Sequence, residues 1–290
     1  MKFAFIDAHR HCFPVIRLCS VLEVSDNGYY NWRKRGICQR KREDEQLAKR
    51  IEDAFQDNRG VYGSPRLHAE LKDQGVCCGR KRVVRLMQAM NICASRKRRK
   101  AHKTDSNHSN PFAPNLLEQD FTADAPNKKW MTDMTFIETQ EGWLYLAGVI
   151  DAYSRKIVGW AMGQNHDAEL VKRALQMALI QRQPGAGLVH HSDRGSEYAS
   201  KSYQKMLQEH GIQISMSKKG DCYDNAPIES FWGTLKEECL GRHMYHTRKE
   251  AKTAVFDYIE TFYNRKRRHS SLGYLSPEDY EKRRKVENKE

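Results

Sequence analysis

No apolar run in this 290-residue chain approaches the ~20 residues a bilayer-spanning helix needs. The N-terminus MKFAFIDAHRH carries an acid and histidines where a signal peptide has an unbroken apolar stretch. Both absences predict a soluble, cytoplasmic protein with no membrane partner. The eight cysteines, at positions 12, 19, 38, 77, 78, 93, 222 and 239, lack zinc-knuckle or redox-dithiol spacing, so neither chemistry is expected and most read as buried thiols. Leucine-zipper heptads are missing, which leaves self-association without a visible coiled coil. Acids are scarce in front: residues 1–104 hold 24 Lys and Arg against 11 Asp and Glu, whereas residues 105–290 hold 26 of each. The formal charge of +13 therefore belongs to the first third. Such a segment suits phosphate, because each contact releases counterions and steepens the salt dependence by about 0.9 in log-log slope. A solvated basic face is the plainer reading, and the dense run SRKRRK at 95–100 argues against it.

What is present is enough for a folded protein of two or three domains, with 39% hydrophobic residues, five Trp and ten Phe. Residues 1–40 read as a helix-turn-helix-like unit. Val15, Leu18, Cys19 and Leu22 recur at helical spacing, Val24 begins a turn, and Ser25 caps a second helix ending in Arg33, Lys34 and Arg35. Residues 41–104 repeat the outline: Ser64 and Pro65 open a helix bearing Leu67 and Leu71, Gly75 stops it, and a basic helix follows, with Val84, Met87 and Ala89 or Met90 on its apolar side. Arg80, Lys81, Arg82 and Arg85 crowd that last helix and favour DNA over a mere packing hairpin. Residues 105–126 lose periodicity and read as a linker that leaves the front module free to move. From 127 the pattern becomes α/β. Strands are expected at 131–139, 143–152, 156–162, 187–192 and in GIQISM, with helices at about 167–182, 199–210 and around position 229. That set predicts a mixed five-stranded sheet with flanking helices over 127–240, followed by a basic helical extension at 241–290.

Three acids occupy places that suit metal-bound carboxylates. Asp133 lies in the strand-like WMTDMTFIET, Asp193 ends LVHHSD before a Gly-containing turn, and Glu229 opens the helical NAPIESFWGTLKEE. Magnesium takes oxygen ligands, usually one or two carboxylates plus substrate phosphate, so three acids suffice for two ions with Asp133 bridging. Each acid also has an ordinary explanation: a strand edge, a turn, a helix N-terminus. Asp151 and Glu197 are competing acids. His190 and His191 could touch substrate, although strand-end histidines are more often structural. Lys236, seven residues beyond Glu229, falls on nearly the same helix face and fits a phosphate contact.

Thirty-five residues separate Asp193 from Glu229, and with HSDRG and NAPIESFW around the acids this resembles the DDE transposases and retroviral integrases. The motifs YYNWRKR, RGVYGSPRLHAEL, WMTDMT, DAYSRKIVGW, HHSDRGSEY, DNAPIESFWGTLKEE and the tail YNRKRRHSSLGYLSPEDY together resemble OrfB-type transposases of the IS-three family over nearly the whole chain. The resemblance implies a ribonuclease H-like integrase core, 3′-end cleavage and strand transfer, and a requirement for two Mg²⁺ ions that Mn²⁺ can replace. It implies element ends and target DNA as partners, self-association on DNA, and an OrfA-type helix-turn-helix partner or frameshift fusion. It also implies that Arg265, Arg267, Arg268 and His269 lie on DNA. The His and Cys zinc module of retroviral integrases is not reproduced by His9, His11 and Cys12. Two other readings stay open from the residues: a DNA-binding regulator with an inactive core, and a ribonuclease H-like nuclease that cuts without joining.

Overall fold

In the computed structural model the described residues are 1–35, 38–94, 113–218 and 222–287; the run at 95–100 and the first part of the expected linker, 105–112, lie outside them. Three short helices, α1 (Lys2–His9), α2 (Val15–Val21) and α3 (Asp26–Lys34), enclose Ile6, Cys19 and Tyr29. The Ser25 hydroxyl caps α3 by accepting from the Gly28 N–H at 3.3 Å, as its sequence position predicts. Helix α1 was not expected, because its apolar residues show little one-sided periodicity.

The next unit consists of α4 (Gln39–Asp57), α5 (Ser64–Asp73) and α6 (Arg80–Ala89). Helix α4 escaped the sequence reading because Leu47, Ile51 and Ala54 form a narrow buried stripe in an otherwise charged segment. On α6 the buried residues are Val83, Leu86 and Met87, so the apolar face is rotated by one residue from the expected Val84 register. This unit does not float. The Tyr62 hydroxyl donates to the Lys266 carbonyl at 3.2 Å and accepts from the Arg268 N–H at 2.8 Å. Arg59 pairs with Asp257 at 2.8 Å, and the apolar core runs on from Leu47 and Leu67 into that of the α/β region. The expected free movement of the front module thus fails for residues 41–94, which are fastened by contacts some 200 positions apart in sequence.

Five strands form one sheet in the order β3-β2-β1-β4-β5: β1 (Lys129–Thr139), β2 (Gly142–Asp151), β3 (Ile157–Gly163), β4 (Val189–Ser192) and β5 (Gln213–Met216). The first three make an antiparallel meander, while β4 runs parallel to β1 and β5 parallel to β4. Strand β1 is therefore central and joins the two halves. Helices α7 (Ala168–Arg182) and α8 (Lys201–Glu209) cover one face around Trp130, Ala147 and Val149. On the other face, α9 (Ala226–Glu238) packs Ile228, Phe231, Trp232 and Leu235 against Met131, Leu146 and Ile150. Burying those apolar groups on both faces is the main driving force for the layers. Helix α10 (Arg248–Phe256) starts with a capping box from Thr247 and Glu250 and continues as a π-helical turn, Asp257–Tyr263. Helix α11 (Pro277–Glu287) follows, with the Ser276 hydroxyl accepting from the Asp279 N–H at 3.2 Å.

The thiols differ from expectation. Cys12, Cys38, Cys77 and Cys93 are exposed, because they fall at helix ends and in loops, and only Cys19 is fully buried among the described cysteines. Among the described residues no helix is long and apolar enough to cross a membrane.

Candidate active site

Asp133 stands mid-way along β1, directly opposite Gly148 of β2. Residues paired across antiparallel strands share a face, so both look towards α9. A side chain at 148 would meet the Trp232 indole at 2.8 Å; its absence lets Trp232 settle on the sheet. From there the indole N–H donates to Asp133 Oδ2 at 3.0 Å. Asn225, at the end of the 3-10 turn Cys222–Asn225, donates from Nδ2 to the Thr132 carbonyl at 2.9 Å and ties the start of α9 to the same strand.

Asp193 follows the last residue of β4, the strand beside β1. Its Oδ1 accepts from the Gly195 N–H at 2.9 Å, which fixes the carboxylate in the turn. Glu229 is exposed in the first turn of α9. The three acids come from a strand centre, a strand end and a helix start, and they meet electrostatically. Asp133 is held well above the usual carboxylate range, first by desolvation and then by the charges of Asp193 and Glu229, against the opposing pull of N–H donors from Met134 and Trp232. In this conformation no three His, Cys, Asp or Glu side chains among the described residues are already drawn into a ligand cluster.

Other sequence candidates fall in distinct places. Asp151 is fully buried and structural: Arg182 reaches its Oδ2 at 3.1 Å, and the N–H groups of Asn127 and Tyr153 donate to it. Glu197 pairs with His166 at 2.8 Å. His190 is buried against the Tyr203 hydroxyl at 3.1 Å, and burial lowers its pKa to about 3. His191 sits between the Ser215 and Ser217 hydroxyls. Lys236 is exposed, with Nζ 5.0 Å from the Phe136 ring and within electrostatic reach of Asp133. Sequence reasoning missed Trp232, whose signal was an isolated glycine in a strand facing an aromatic helix.

The basic candidates divide sharply. Lys34, Arg35, Arg80 and Lys81 are exposed. Arg33 and Arg265 are exposed with distant partners, Asp7 at 3.7 Å and Glu278 at 3.8 Å. Arg82 and Arg85 both close on Asp44, at 2.7 and 2.6 Å. Arg268 is spent within the fold on Glu70 and Asp73, at 2.7 and 2.6 Å. Arg267 lies inside the protein with two bonds of 2.7 Å to Glu238, and His269 beside it is buried as well. The tail expectation is corrected for these two: Arg267 is committed to a buried bidentate ion pair and His269 is buried beside it, so neither stands on the exposed surface with the other basic candidates.

Comparisons with known proteins follow the same division. The integrase core domain family matches residues 123–222, a second integrase core domain family matches 210–277, and the HTH-like domain family matches 41–100. The insertion element IS600 uncharacterized 31 kDa protein of Shigella sonnei is 48% identical over 260 residues, covering 90% of this chain and 96% of that one. Transposase InsF for insertion sequence IS3A of Escherichia coli (strain K12) is 42% identical over 283 residues, covering 97% of this chain and 98% of that one. Among solved structures, the HTLV-2 integrase catalytic core domain in complex with magnesium is 15% identical, with a TM-score of 0.41 over 53% of this chain and 95% of that one. The simian T-cell lymphotropic virus intasome in complex with PP2A regulatory subunit B56 gamma gives 16% identity and a TM-score of 0.42 over 69% of each chain. The sheet order and the matched domains identify the core as the ribonuclease H-like integrase fold, preceded by a helical HTH-like region. With relatives of this identity aligned over nearly their full length, the chain belongs to the IS3 family of insertion-sequence transposases.

Proposed function

We propose that this chain cuts the 3′ ends of its element and transfers them to target DNA, with Asp133, Asp193 and Glu229 as the carboxylates that hold divalent metal. The observation that carries this reading is the convergence of two further acids, from separate elements, on the half-buried Asp133. The donor set is all oxygen, which suits Mg²⁺ or Mn²⁺, and a cation would offset the charge that desolvation and the neighbouring acids oppose at Asp133. Two such ions, when bound, supply activation of an attacking oxygen and stabilisation of a leaving oxygen. The protein's own part is positioning. Trp232 and Met134 fix the Asp133 carboxylate through N–H donors, Gly195 fixes Asp193, and the first turn of α9 presents Glu229. Water and a DNA 3′-hydroxyl are similar nucleophiles for one in-line displacement, so a single site serves both cutting and joining.

In this reading the exposed Arg33, Lys34, Arg35, Arg80, Lys81, Lys236 and Arg265 meet DNA phosphate, with Arg82 and Arg85 shared between DNA and Asp44. The protein works in the cytoplasm as an assembly on the element ends, with an OrfA-type partner or fusion reading the terminal repeats. The test uses labelled terminal-repeat DNA with Mg²⁺ or Mn²⁺ and compares the natural chain with Glu229→Gln. Joined product should fall at least 100-fold while DNA binding persists. Equal joining by both proteins would sink the assignment of Glu229, and cutting without joining by the natural chain would make it a nuclease.

A further inference from the structure

Beside α9 lies a cavity of about 360 Å³ whose wall includes Arg66, Arg155, Ser230, Arg267, His269 and Ser271. Its charge is unbalanced. Arg66 and Arg267 share one carboxylate, Glu238, at 3.3 and 2.7 Å. Arg155 has no acid or carbonyl accepting from its guanidinium among the described residues. The acid nearest to it across the turn, Asp151, is already taken by Arg182 at 3.1 Å and by two backbone N–H groups. Three guanidinium groups thus face one carboxylate, and the imidazole among them is held neutral by burial and by those arginines.

The backbone supplies a separate observation. Arg155 occupies the β2–β3 turn with φ +59°, the left-handed region that glycine or asparagine enters cheaply. A long, charged side chain with a Cβ is an odd choice for that turn on local grounds, and here it lines the cavity. Guanidinium forks and serine hydroxyls present donors, and a planar fork matches phosphate oxygens particularly well. Ser230 on the cavity wall is the residue after Glu229, so one wall of the cavity is the same first turn of α9 that presents Glu229.

We propose that this cavity binds a backbone phosphate of the DNA strand lying next to the Asp133, Asp193 and Glu229 site, gripped by Arg155 with Arg66, Ser230 and Ser271. The assignment rests on the transposase reading above. It makes the β2–β3 turn, the start of α9 and the loop after Arg267 a single clamp that sets where a strand enters the site.

The experiment measures fluorescence anisotropy of terminal-repeat duplex binding to the full chain across a salt series. Arg155→Gly relaxes the turn and so protects the fold; its log-log salt slope should be shallower by about 0.9, the loss of one phosphate contact. Ser271→Glu, at an exposed position, places a carboxylate at the rim and should weaken binding in the same direction. Lys205→Ala on α8 should keep the natural slope. Single methylphosphonates walked along the duplex then locate the contact: at one position the natural protein loses affinity and Arg155→Gly loses none. If the natural chain shows no salt-dependent binding at all, the transposase reading itself falls. If it binds and Arg155→Gly keeps the full slope, or every methylphosphonate costs both proteins equally, the pocket assignment alone is overturned.

Discussion

The basic residues at the end of α3 and those of the tail look alike as text, WRKR in one and YNRKRRH in the other, and they meet opposite fates. The Arg33 side chain is 46% exposed with Asp7 at 3.7 Å, its one ion-pair partner among the described residues, whereas that of Arg267 is 5% exposed with Glu238 at 2.7 Å. Arg268 is similarly absorbed by Glu70, a residue 198 positions away. A run of basic residues therefore states only that charge is present. Whether it faces phosphate or an internal carboxylate depends on which acid the topology delivers. In the tail, α9 delivers Glu238 and α5 delivers Glu70 and Asp73; at the end of α3 no buried acid arrives from the described residues.

The sharpest way to break this comparison is Arg267→Ala. Removing one partner of a buried pair leaves the Glu238 charge unmatched, and the expected loss of stability is about 3–5 kcal/mol. Tyr258 also donates to that carboxylate, at 2.7 Å, and Arg66 stands 3.3 Å away, so the loss should sit towards the lower end of the range. The denaturant midpoint reports it. Replacing Arg267 and Glu238 together with apolar residues of similar volume should recover much of the deficit. A midpoint unchanged in the single variant would mean that Arg267 is a surface group after all and would return it to the DNA-facing set.

The imidazole beside that pair gives a smaller effect with a definite direction. His269 is held neutral, its pKa well below the ordinary 6.5, by burial and by Arg267, Arg66 and Arg155. In the unfolded chain it takes up a proton as pH falls through about 6.5, while the folded state does not, so stability is full above that pH and declines below it. The slope is about 1.4 kcal/mol per pH unit for this one group. His190, also buried and held near a pKa of about 3, acts in the same sense. Stability measured between pH 7 and 5 should fall more gently in His269→Gln than in the natural chain, by close to one proton. An identical slope in the two would place His269 in water.

The α/β core was legible because its strands alternate or run apolar between clear turns, and the observed strand ends fall within about two residues of the expected ones. The start of α3 was legible through its cap, Ser25. The acids could be picked out through their flanking motifs, and the structure brings Asp193 and Glu229 within electrostatic reach of Asp133. Three features could not be read. Helix α4 hides a three-residue stripe under a high charge density. The Trp232 contact with Asp133 depends on Gly148 being opposite in a register that sequence does not state. The fate of Arg267 turns on Glu238, which looks like the solvated end of a charged helix and is instead 9% exposed beneath the π-helical turn.

The smallest effect on folding, and the one that completes the contrast, belongs to Lys34→Ala. Lys34 is exposed in the last turn of α3, where a cation gains only a few tenths of a kcal/mol from the helix dipole. Its removal should leave the denaturant midpoint within about 0.5 kcal/mol of the natural chain. If α3 meets DNA as proposed, the same change should make the salt slope of terminal-repeat binding shallower by about 0.9. Arg267→Ala, assayed in conditions where it remains folded, should leave that slope alone. The two variants then separate along two axes, one losing stability without slope and the other slope without stability. A Lys34→Ala protein with an unchanged slope would assign the basic end of α3 to solvent and confine the phosphate contacts to α6, Lys236 and the cavity beside α9.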